Sequence, residues 1–295
     1  MSLRLEMVQV SRLAPRLLGD STQLVRDFVV GQLTPDGAFV DRVGKPDLYY
    51  TVFGLNCLQA LQEEIPETVR TFLRSFGSGE SLDLVHLACL ARAWSAAGGL
   101  ESETQAALLE RLAAFRSTDG GFATEPGQAQ SAVTSSFLAF GAYQDLGGTT
   151  PDTVGLIASV QAREAADGGY VNEPPAVAGS TPATTAAIAL LGQLRQPPAK
   201  SAVKWLNARH IHGGFAAAPG LDMPDLLSTA VVLHALATLQ RPLQRFVEPG
   251  LDFIDTLWTN RGAFHGHWAD DDVDCEYTFY GLLALGHLSV WADGR

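Results

Sequence analysis

The densest group of ionisable side chains in the chain lies between His265 and Glu276. Two histidines stand one residue apart there, and four aspartates, a cysteine and a glutamate follow them. Imidazole, thiolate and carboxylate groups are ligands for divalent metals. One interpretation is therefore a zinc or magnesium site with His265, His267, Asp272 and Asp274 as ligands. The other, which the irregular spacing favours, is an acidic loop that caps the next helix, because carboxylates stabilise helix N-termini. We assign no metal ligand from the sequence.

A second group with chemical potential is aromatic. Six aromatic side chains lie at the starts of two predicted helices: Tyr49, Tyr50, Phe53, Tyr277, Phe279 and Tyr280. Aromatic faces attract cations, a carbocation included, through the ring quadrupole. Two interpretations stay open: the rings form a wall around a cationic intermediate, or some of them only pack between helices.

Both groups belong to a sixfold repeat in which a short polar cluster precedes an apolar helix. The clusters occupy residues 47–51, 83–87, 131–135, 181–185, 225–229 and 274–278. A glycine turn followed by Phe or Tyr precedes all but the second, at residues 36–39, 119–122, 167–170, 212–215 and 261–264. A repeat of this length is typical of arrays of one supersecondary unit.

Each repeat predicts two helices of different character. The first is amphipathic, as at residues 103–116, and ends where the turn glycine allows a left-handed backbone. The second is apolar nearly all round and must be buried on every side. These second helices are predicted over residues 48–61, 84–96, 132–143, 183–194, 226–239 and 275–288. The pattern predicts an all-α fold, a closed α/α toroid of six helical hairpins with inner and outer helix rings.

In such a ring the first and last inner helices are neighbours, and we expect Tyr49, Phe53 and Tyr280 to contact a ligand there. Six residues share one register on the inner helices and are predicted to face the cavity: Tyr50, His86, Thr134, Thr184, Ser228 and Tyr277. His86 would be a proton acceptor or a diphosphate contact. The alternative for His86 is an ordinary core histidine.

Composition bounds the function classes. Residues 1–20 are predicted to form a leading helix and residues 21–295 a single toroid domain. The net charge is −12 and no basic stripe is present, which argues against nucleic acid as a partner. Three cysteines in different predicted helices form no disulfide framework, so we expect a cytoplasmic location. No stretch reaches the ~20 apolar residues that a membrane span needs.

The glycine turns, with the clusters at residues 47–51 and 274–278, resemble the prenyltransferase and squalene-cyclase toroid family. This family includes protein prenyltransferase β subunits and the β domains of class II terpene cyclases, and the resemblance covers roughly residues 20–290. It implies an α/α toroid whose apolar funnel holds an isoprenoid chain. For a prenyltransferase β subunit it also implies an α-subunit-like protein partner.

The resemblance implies two alternative sites. In protein prenyltransferases, zinc ligands would fall at Asp225, Leu227 and Tyr277, where only the aspartate is a suitable ligand. The family zinc site is therefore predicted not to be intact, and Asp225 is kept as a substrate contact. In class II cyclases, an acidic motif falls on residues 274–278. Glu276 would take the place of the proton donor, Asp274 would be its neighbouring carboxylate, and Tyr277 replaces the last acid. All three are predicted to be catalytic.

Three functions stay open. The leading one is a diverged prenyltransferase-like protein that acts on an isoprenoid or similar apolar substrate. The second is acid-initiated cyclisation by Glu276 and Asp274, and the third is a non-catalytic toroid that binds an apolar ligand or a protein. Whether the chain is an enzyme is left open. A diphosphate substrate would need cations, for which Arg42, Lys45 and Arg261 are the candidates.

Overall fold

The computed structural model describes residues 2–292, so Met1 and residues 293–295, at the ends of the two predicted domains, lie outside it. Helices dominate the described chain: α1 (Leu3–Ser11), α2 (Pro15–Leu18), α3 (Thr22–Gly31), α4 (Leu48–Ala60), α5 (Thr68–Arg74), α6 (Leu84–Ala97), α7 (Ser102–Ala113), α8 (Val133–Asp145), α9 (Thr153–Gln161), α10 (Thr181–Gln193), α11 (Ala202–Asn207), α12 (Leu226–Thr238), α13 (Gln244–Leu257) and α14 (Cys275–Ala292). The all-α class is confirmed.

Two short antiparallel hairpins complete the structure. β1 (Phe39–Val40) pairs with β2 (Pro46–Asp47), and β3 (His210–Ile211) pairs with β4 (Gly214–Phe215). The predicted leading helix is two helices, α1 and α2, because Pro15 has no N–H to continue a helix and instead begins α2. No helix within residues 2–292 has the length and apolar character that a membrane crossing requires.

Burial separates the helices into the two predicted kinds. From α3 onward the even-numbered helices are the apolar ones. In α10 the buried residues run almost without a break from Thr181 to Leu191. The odd-numbered helices bury one stripe, and α7 buries only Leu108 and Leu112 among its residues. The alternation of outer and inner helices along the chain is therefore confirmed, while closure of all six hairpins into a ring stays a prediction.

The chain divides into two compact units. The first unit comprises residues up to 4 and residues 73–208, and the second unit comprises residues 5–72 and residues from 209 onward. Within the first unit α8 lies between α6 and α10. Within the second unit α14 lies between α12 and α4, with α13 packed against α14 and α3 against α4. The expected contact between the first and last inner helices is confirmed by the α4–α14 packing.

The glycine turns adopt the left-handed backbone that the sequence predicts, but they do not end the outer helices. α3 ends at Gly31, and Leu33 then pairs with Phe39 across the turn. Gly37 has φ of 92°, and a Cβ there would collide with the backbone of Thr68. The glycine is needed for a small hairpin that returns the chain to the inner helix. The outer helix itself ends with an ordinary right-handed cap at Gln32.

A hydroxyl group ties four of these hairpins to the inner helix that follows. In four copies the N–H of the aromatic turn residue donates to a Ser or Thr hydroxyl, at 2.9–3.0 Å: Phe39 to Thr51, Phe122 to Ser136, Tyr170 to Thr184 and Phe215 to Thr229. The second copy has Leu87 at this position. The hydroxyl therefore satisfies a buried backbone donor that no strand partner reaches.

These bonds correct the predicted register by one residue in the third and fourth copies. α8 begins after its cap Ala132 and α10 after its cap Ser180. The residues that share the position of Tyr50 and Tyr277 are consequently Ser135 and Ala183, not Thr134 and Thr184. The sequence prediction aligned the six clusters by their polar residues alone. In the third and fourth clusters Ser or Thr occupies adjacent positions, so this alignment chose the wrong one of two neighbours.

We expect Thr229→Val to destabilise the protein by about 1–3 kcal/mol, because it leaves the Phe215 N–H buried without an acceptor. Thr229→Ser keeps the hydroxyl and is the matched control. The free energy of unfolding in urea measures both. Equal stability of the two variants would show that the hydroxyl does not support the hairpin.

Candidate active site

The start of α14 is built around the carboxylate of Asp274. This side chain is only 2% exposed, and its Oδ1 accepts the N–H of Tyr277 at 2.8 Å, which caps the helix. Its Oδ2 accepts from Nε of Arg42 at 2.7 Å. Arg42 also holds Asp270 with two bonds of 3.0 and 3.2 Å, and its guanidinium lies 5.3 Å from the centre of the Tyr277 ring. One arginine thus joins the β1–β2 loop to the loop before α14.

Glu276 lies two residues into the same helix and is 9% exposed. Its Oε1 accepts a hydrogen bond of 2.6 Å from the hydroxyl of Tyr49 on α4. Burial is the main cause that raises the pKa of Glu276 to about 7; the Tyr49 hydrogen bond opposes this shift and the charge of Asp274 adds to it. Glu276 is therefore about half protonated near neutral pH, and its neighbour Asp274 is ion-paired with Arg42.

Aromatic rings continue from this carboxyl group along α4 and α14. The ring of Phe53 lies 5.0 Å from that of Tyr49 and 5.6 Å from that of Tyr280. Phe53 and Phe279 are buried, with exposed fractions of 6% and 2%, whereas Tyr49 and Tyr280 are half-buried. The structure brings Tyr49, Phe53 and Tyr280 together as predicted neighbours, and Phe279 packs beside Phe53 with their ring centres 6.1 Å apart.

The two tyrosines at the shared register position lie beside these carboxylates. Burial and the charge of Asp274 raise the pKa of Tyr50 to about 12. Burial and the charges of Glu276 and Asp225 raise the pKa of Tyr277 to about 12. Both phenols therefore stay protonated and available as hydrogen-bond donors at neutral pH.

Asp225 performs at α12 the capping that Asp274 performs at α14. Its Oδ1 accepts the N–H of Ser228 at 2.7 Å, and burial raises its pKa. The next residue, Leu226, donates its N–H to the carbonyl of Gly266 at 2.8 Å. A Cβ on Gly266 would lie 2.5 Å from the Tyr277 ring, so only glycine lets the loop pass beneath this ring. These contacts place the start of α12 beside the start of α14.

The zinc positions of the family do not fit a metal here. Asp225 supplies a carboxylate that already caps α12, and Leu227 has no donor atom. A Tyr277 phenol with its pKa near 12 is a poor ligand at neutral pH.

The ligand set suggested by the acidic loop does not converge either. Nδ1 of His265 pairs with the carbonyl of Asp272 at 2.9 Å, and Nδ1 of His267 accepts the N–H of Ala269 at 3.1 Å. Across residues 2–292, His, Cys, Asp and Glu side chains form no group of three or more that would hold a metal ion. Two aspartates of this loop have structural partners, since Asp274 caps α14 and Asp270 binds Arg42.

Two other predicted ligand contacts have different surroundings. His86 lies in the first unit, where its Nδ1 is 2.7 Å from the carboxylate of its cap residue Asp83, and its role as a substrate contact stays a prediction. Arg42, a predicted contact of a substrate diphosphate, instead donates hydrogen bonds to Asp270 and Asp274.

Sequence reasoning missed two features of the second unit. One is the Arg42–Asp274 ion pair, whose partners are 232 residues apart. The other is a buried pair of imidazoles, with Nδ1 of His234 on α12 3.1 Å from Nε2 of His287 on α14. The one signal in the sequence is that a histidine interrupts each of two otherwise apolar helices.

The model of the prenyltransferase alpha-alpha toroid domain matches residues 14–88, 76–216 and 184–293 of the chain. The chain belongs to this family. The resemblance identified from the repeats is thereby confirmed. No curated protein matches the chain.

Solved structures of low sequence identity share the toroid fold. The apo type II terpene cyclase MstE from Scytonema has a TM-score of 0.66 at 14% identity, over 94% of this chain and 98% of that one. Protein geranylgeranyltransferase-I from Candida albicans, complexed with GGPP, has a TM-score of 0.57 at 15% identity, over 99% and 84%. A protein from Actinoplanes has a TM-score of 0.58 at 14% identity, over 92% and 99%. At these identities the likeness establishes the toroid fold alone.

The buried carboxyl of Glu276 makes a testable contribution to stability. Its pKa is about 7 in the folded protein against 4.5 as the ordinary value, so folding binds a proton between these pH values. Stability is therefore present at low pH and is lost as the pH rises through this window. We expect the wild type to lose on the order of 3 kcal/mol relative to Glu276→Gln between pH 4 and pH 8.

Urea unfolding at the two pH values measures this difference. The exposed Glu64→Gln is the matched control and should leave the pH dependence of the wild type unchanged. A Glu276→Gln variant with the pH dependence of the wild type would contradict the raised pKa.

Proposed function

We propose that this protein is an acid-initiated cyclase of a polyprenyl chain, with Glu276 as the proton donor. The observation that carries the proposal is a carboxyl group that is 9% exposed and has its pKa raised to about 7. A general acid works best when its pKa lies near the operating pH. Among the three functions that the sequence leaves open, cyclisation is the one that uses this carboxyl group.

The neighbours of Glu276 support its role as the acid. Arg42 holds Asp274 by an ion pair of 2.7 Å, and burial raises the pKa of Glu276 to about 7, which keeps a proton on part of the Glu276 population at neutral pH. Glu276 transfers that proton to a terminal alkene, and the electron pair of the alkene forms the new C–H bond. The carboxylate that remains keeps the hydrogen bond from Tyr49, which stabilises the charge left after transfer.

The carbocation formed in this step needs an environment that attracts cations and excludes nucleophiles. Phe53 and Tyr280 present rings 5.6 Å apart on α4 and α14, beyond Tyr49. Ring faces stabilise a nearby cation by about 0.5–2 kcal/mol each. We assign Tyr49, Phe53 and Tyr280 to this wall, and Tyr50 and Tyr277 to the polar end that receives the reacting alkene.

Prenyl transfer finds less support in the same residues. Activation of a thiol by zinc requires ligands, and Asp225, Leu227 and Tyr277 do not supply a set. Ionisation of a prenyl diphosphate requires cations, and Arg42 is already bound by two aspartates. An α-subunit-like partner and a cytoplasmic location stay predictions.

The direct test is incubation with three geranylgeranyl compounds. Geranylgeranyl dihydroxybenzoate is the substrate in a solved complex of a type II terpene cyclase, GGPP is bound in the geranylgeranyltransferase-I complex, and geranylgeraniol is a neutral analogue. We expect a cyclic isomer of unchanged mass from at least one of them, by liquid chromatography and mass spectrometry. Glu276→Gln should lower the rate about 10²–10⁴-fold, and Glu64→Gln should not.

Three results would count against the proposal. Transfer of the prenyl group with release of diphosphate would indicate a prenyltransferase. Retention of all three compounds without turnover would indicate a binding protein. A wild-type rate in Glu276→Gln would remove this residue as the acid.

The Tyr49 hydroxyl gives a second expectation, on the pH profile of kcat. Initiation needs protonated Glu276, so the rate should fall as the pH rises above about 7. The Tyr49 hydrogen bond favours the carboxylate and lowers this pKa. Tyr49→Phe should therefore move the falling limb to higher pH. Tyr143→Phe, which removes a tyrosine hydroxyl that bonds to the carbonyl of Leu109 in the first unit, is the control. A limb displaced to lower pH would overturn this role for Tyr49.

A further inference from the structure

The imidazole pair of His234 and His287 has no part in the initiation step. His234 lies on α12 and His287 on α14, with exposed fractions of 8% and 5%. Nδ1 of His234 is 3.1 Å from Nε2 of His287, and the ring centres are 5.2 Å apart. Two imidazoles buried against each other in apolar helices lose hydration, at a cost in free energy that apolar side chains would not carry.

Position along α14 relates this pair to the acid. Tyr280 follows Glu276 by four residues and His287 follows it by eleven, which returns the side chains to one stripe of the helix. Eleven residues correspond to about 16 Å along the helix axis. The order along α14 is therefore the acid, then the aromatic ring that contacts Phe53, then the imidazole pair.

The hydrogen bond between the rings leaves one basic nitrogen whichever tautomer is present. A neutral imidazole has one N–H and one lone pair. If His234 donates through Nδ1, its Nε2 keeps a lone pair and Nδ1 of His287 carries a proton. If His287 donates through Nε2, its Nδ1 keeps the lone pair and Nε2 of His234 carries the proton. In both cases the pair offers one acceptor and one donor beyond their mutual bond.

We propose that the His234–His287 pair is the general base that ends the cyclisation, about 16 Å along α14 from the acid that starts it. This inference rests on the proposed function of Glu276. The substrate is then a polyprenyl chain long enough for its last cationic carbon to reach the imidazole pair after the first alkene has met the acid. The partner ring, which shares the proton gained, positions the one that touches the substrate.

The step is balanced within the protein and water. The basic nitrogen takes a proton from a carbon next to the cationic carbon, and the electron pair of that C–H bond becomes the new double bond. The resulting imidazolium keeps its hydrogen bond to the other ring, which spreads the positive charge. It releases the proton to water before the next turnover, and Glu276 takes one proton back from water. Substrate and product are isomers.

Burial keeps the two imidazoles neutral, which is the form that can accept a proton. Desolvation lowers the pKa of His234 to about 4, and desolvation together with the charge of His234 lowers the pKa of His287 well below its usual value. Both rings are therefore neutral at neutral pH, where about half of Glu276 is protonated. A carbocation is acidic enough to give its proton to so weak a base, and a neutral pair does not repel the approaching cation.

The test uses His234→Gln, His287→Gln and the double variant of the full chain. Glutamine keeps hydrogen-bonding groups but is not a base at neutral pH. The half-buried His210→Gln in the same unit is the matched control, since His210 contacts the rings of Phe215 and Phe246 instead. The probe is geranylgeranyl dihydroxybenzoate or geranylgeraniol, and products are separated and identified by mass.

We expect the two single variants and the double variant to consume substrate within about tenfold of the wild-type rate, because Glu276 still initiates. The fraction of product formed by direct proton loss should fall about tenfold or more. Alcohols from capture of the cation by water, one water heavier, should rise in its place. Added imidazole should restore the alkene in His287→Ala or His234→Ala, whichever has lost the ring that touches the substrate.

Each other result has a distinct meaning. An unchanged product mixture from folded Gln variants overturns the base and leaves the cyclase standing. Complete loss of turnover in folded Gln variants also overturns it, because the base acts after initiation. If the wild type cyclises none of the compounds, the cyclase proposal fails and the base fails with it. Thermal melting curves identify any misfolded variant. The folded variants then decide whether the imidazole pair is the base.

Discussion

The arrangement of the second unit depends on the ion pair between Arg42 and Asp274. Asp274 is nearly inaccessible to solvent, so its charge is tolerated only with a cation and backbone donors around it. Its two oxygens serve different partners, with one capping α14 and the other binding Arg42. Removing the arginine would leave a buried side chain without its ion-pair partner, next to the cap of α14. The start of α14 thus depends on one guanidinium placed by a loop far away in sequence.

Several polar side chains of this unit have a structural partner. Thr51 and Thr229 satisfy backbone donors, Asp225 and Asp274 satisfy helix ends, and each of these groups has a structural partner. Glu276 differs, because its one described side-chain hydrogen bond comes from Tyr49 and opposes the raised pKa. A group kept against its ordinary protonation state in a protein interior is a candidate for chemistry. Its placement beside aromatic rings suits chemistry on hydrocarbons.

The sequence predicts the helices well because hydrophobic periodicity and capping are local properties. The inner helix predicted at residues 226–239 is found at Leu226–Thr238, and its cap Asp225 is the residue expected. The predicted register of the third and fourth copies was wrong by one residue, because hydroxyl side chains are adjacent there. Only the hydrogen bond from the turn N–H shows that Ser136 and Thr184 occupy the equivalent position. Contacts between distant segments leave no such local mark. The Tyr49–Glu276 bond joins residues 227 apart and could be expected only from the ring model that makes α4 and α14 neighbours.

Three inner helices of the second unit, α4, α12 and α14, begin with aspartate caps, at Asp47, Asp225 and Asp274. The N-terminus of a helix is otherwise a ready site for phosphate, because its free N–H groups and dipole attract anions. Here the N-terminus of each helix already binds the carboxylate of its own cap residue. An anionic group at these helix starts would therefore meet a carboxylate instead of open donors. The caps that begin α4, α12 and α14 thus also disfavour the binding of anions there.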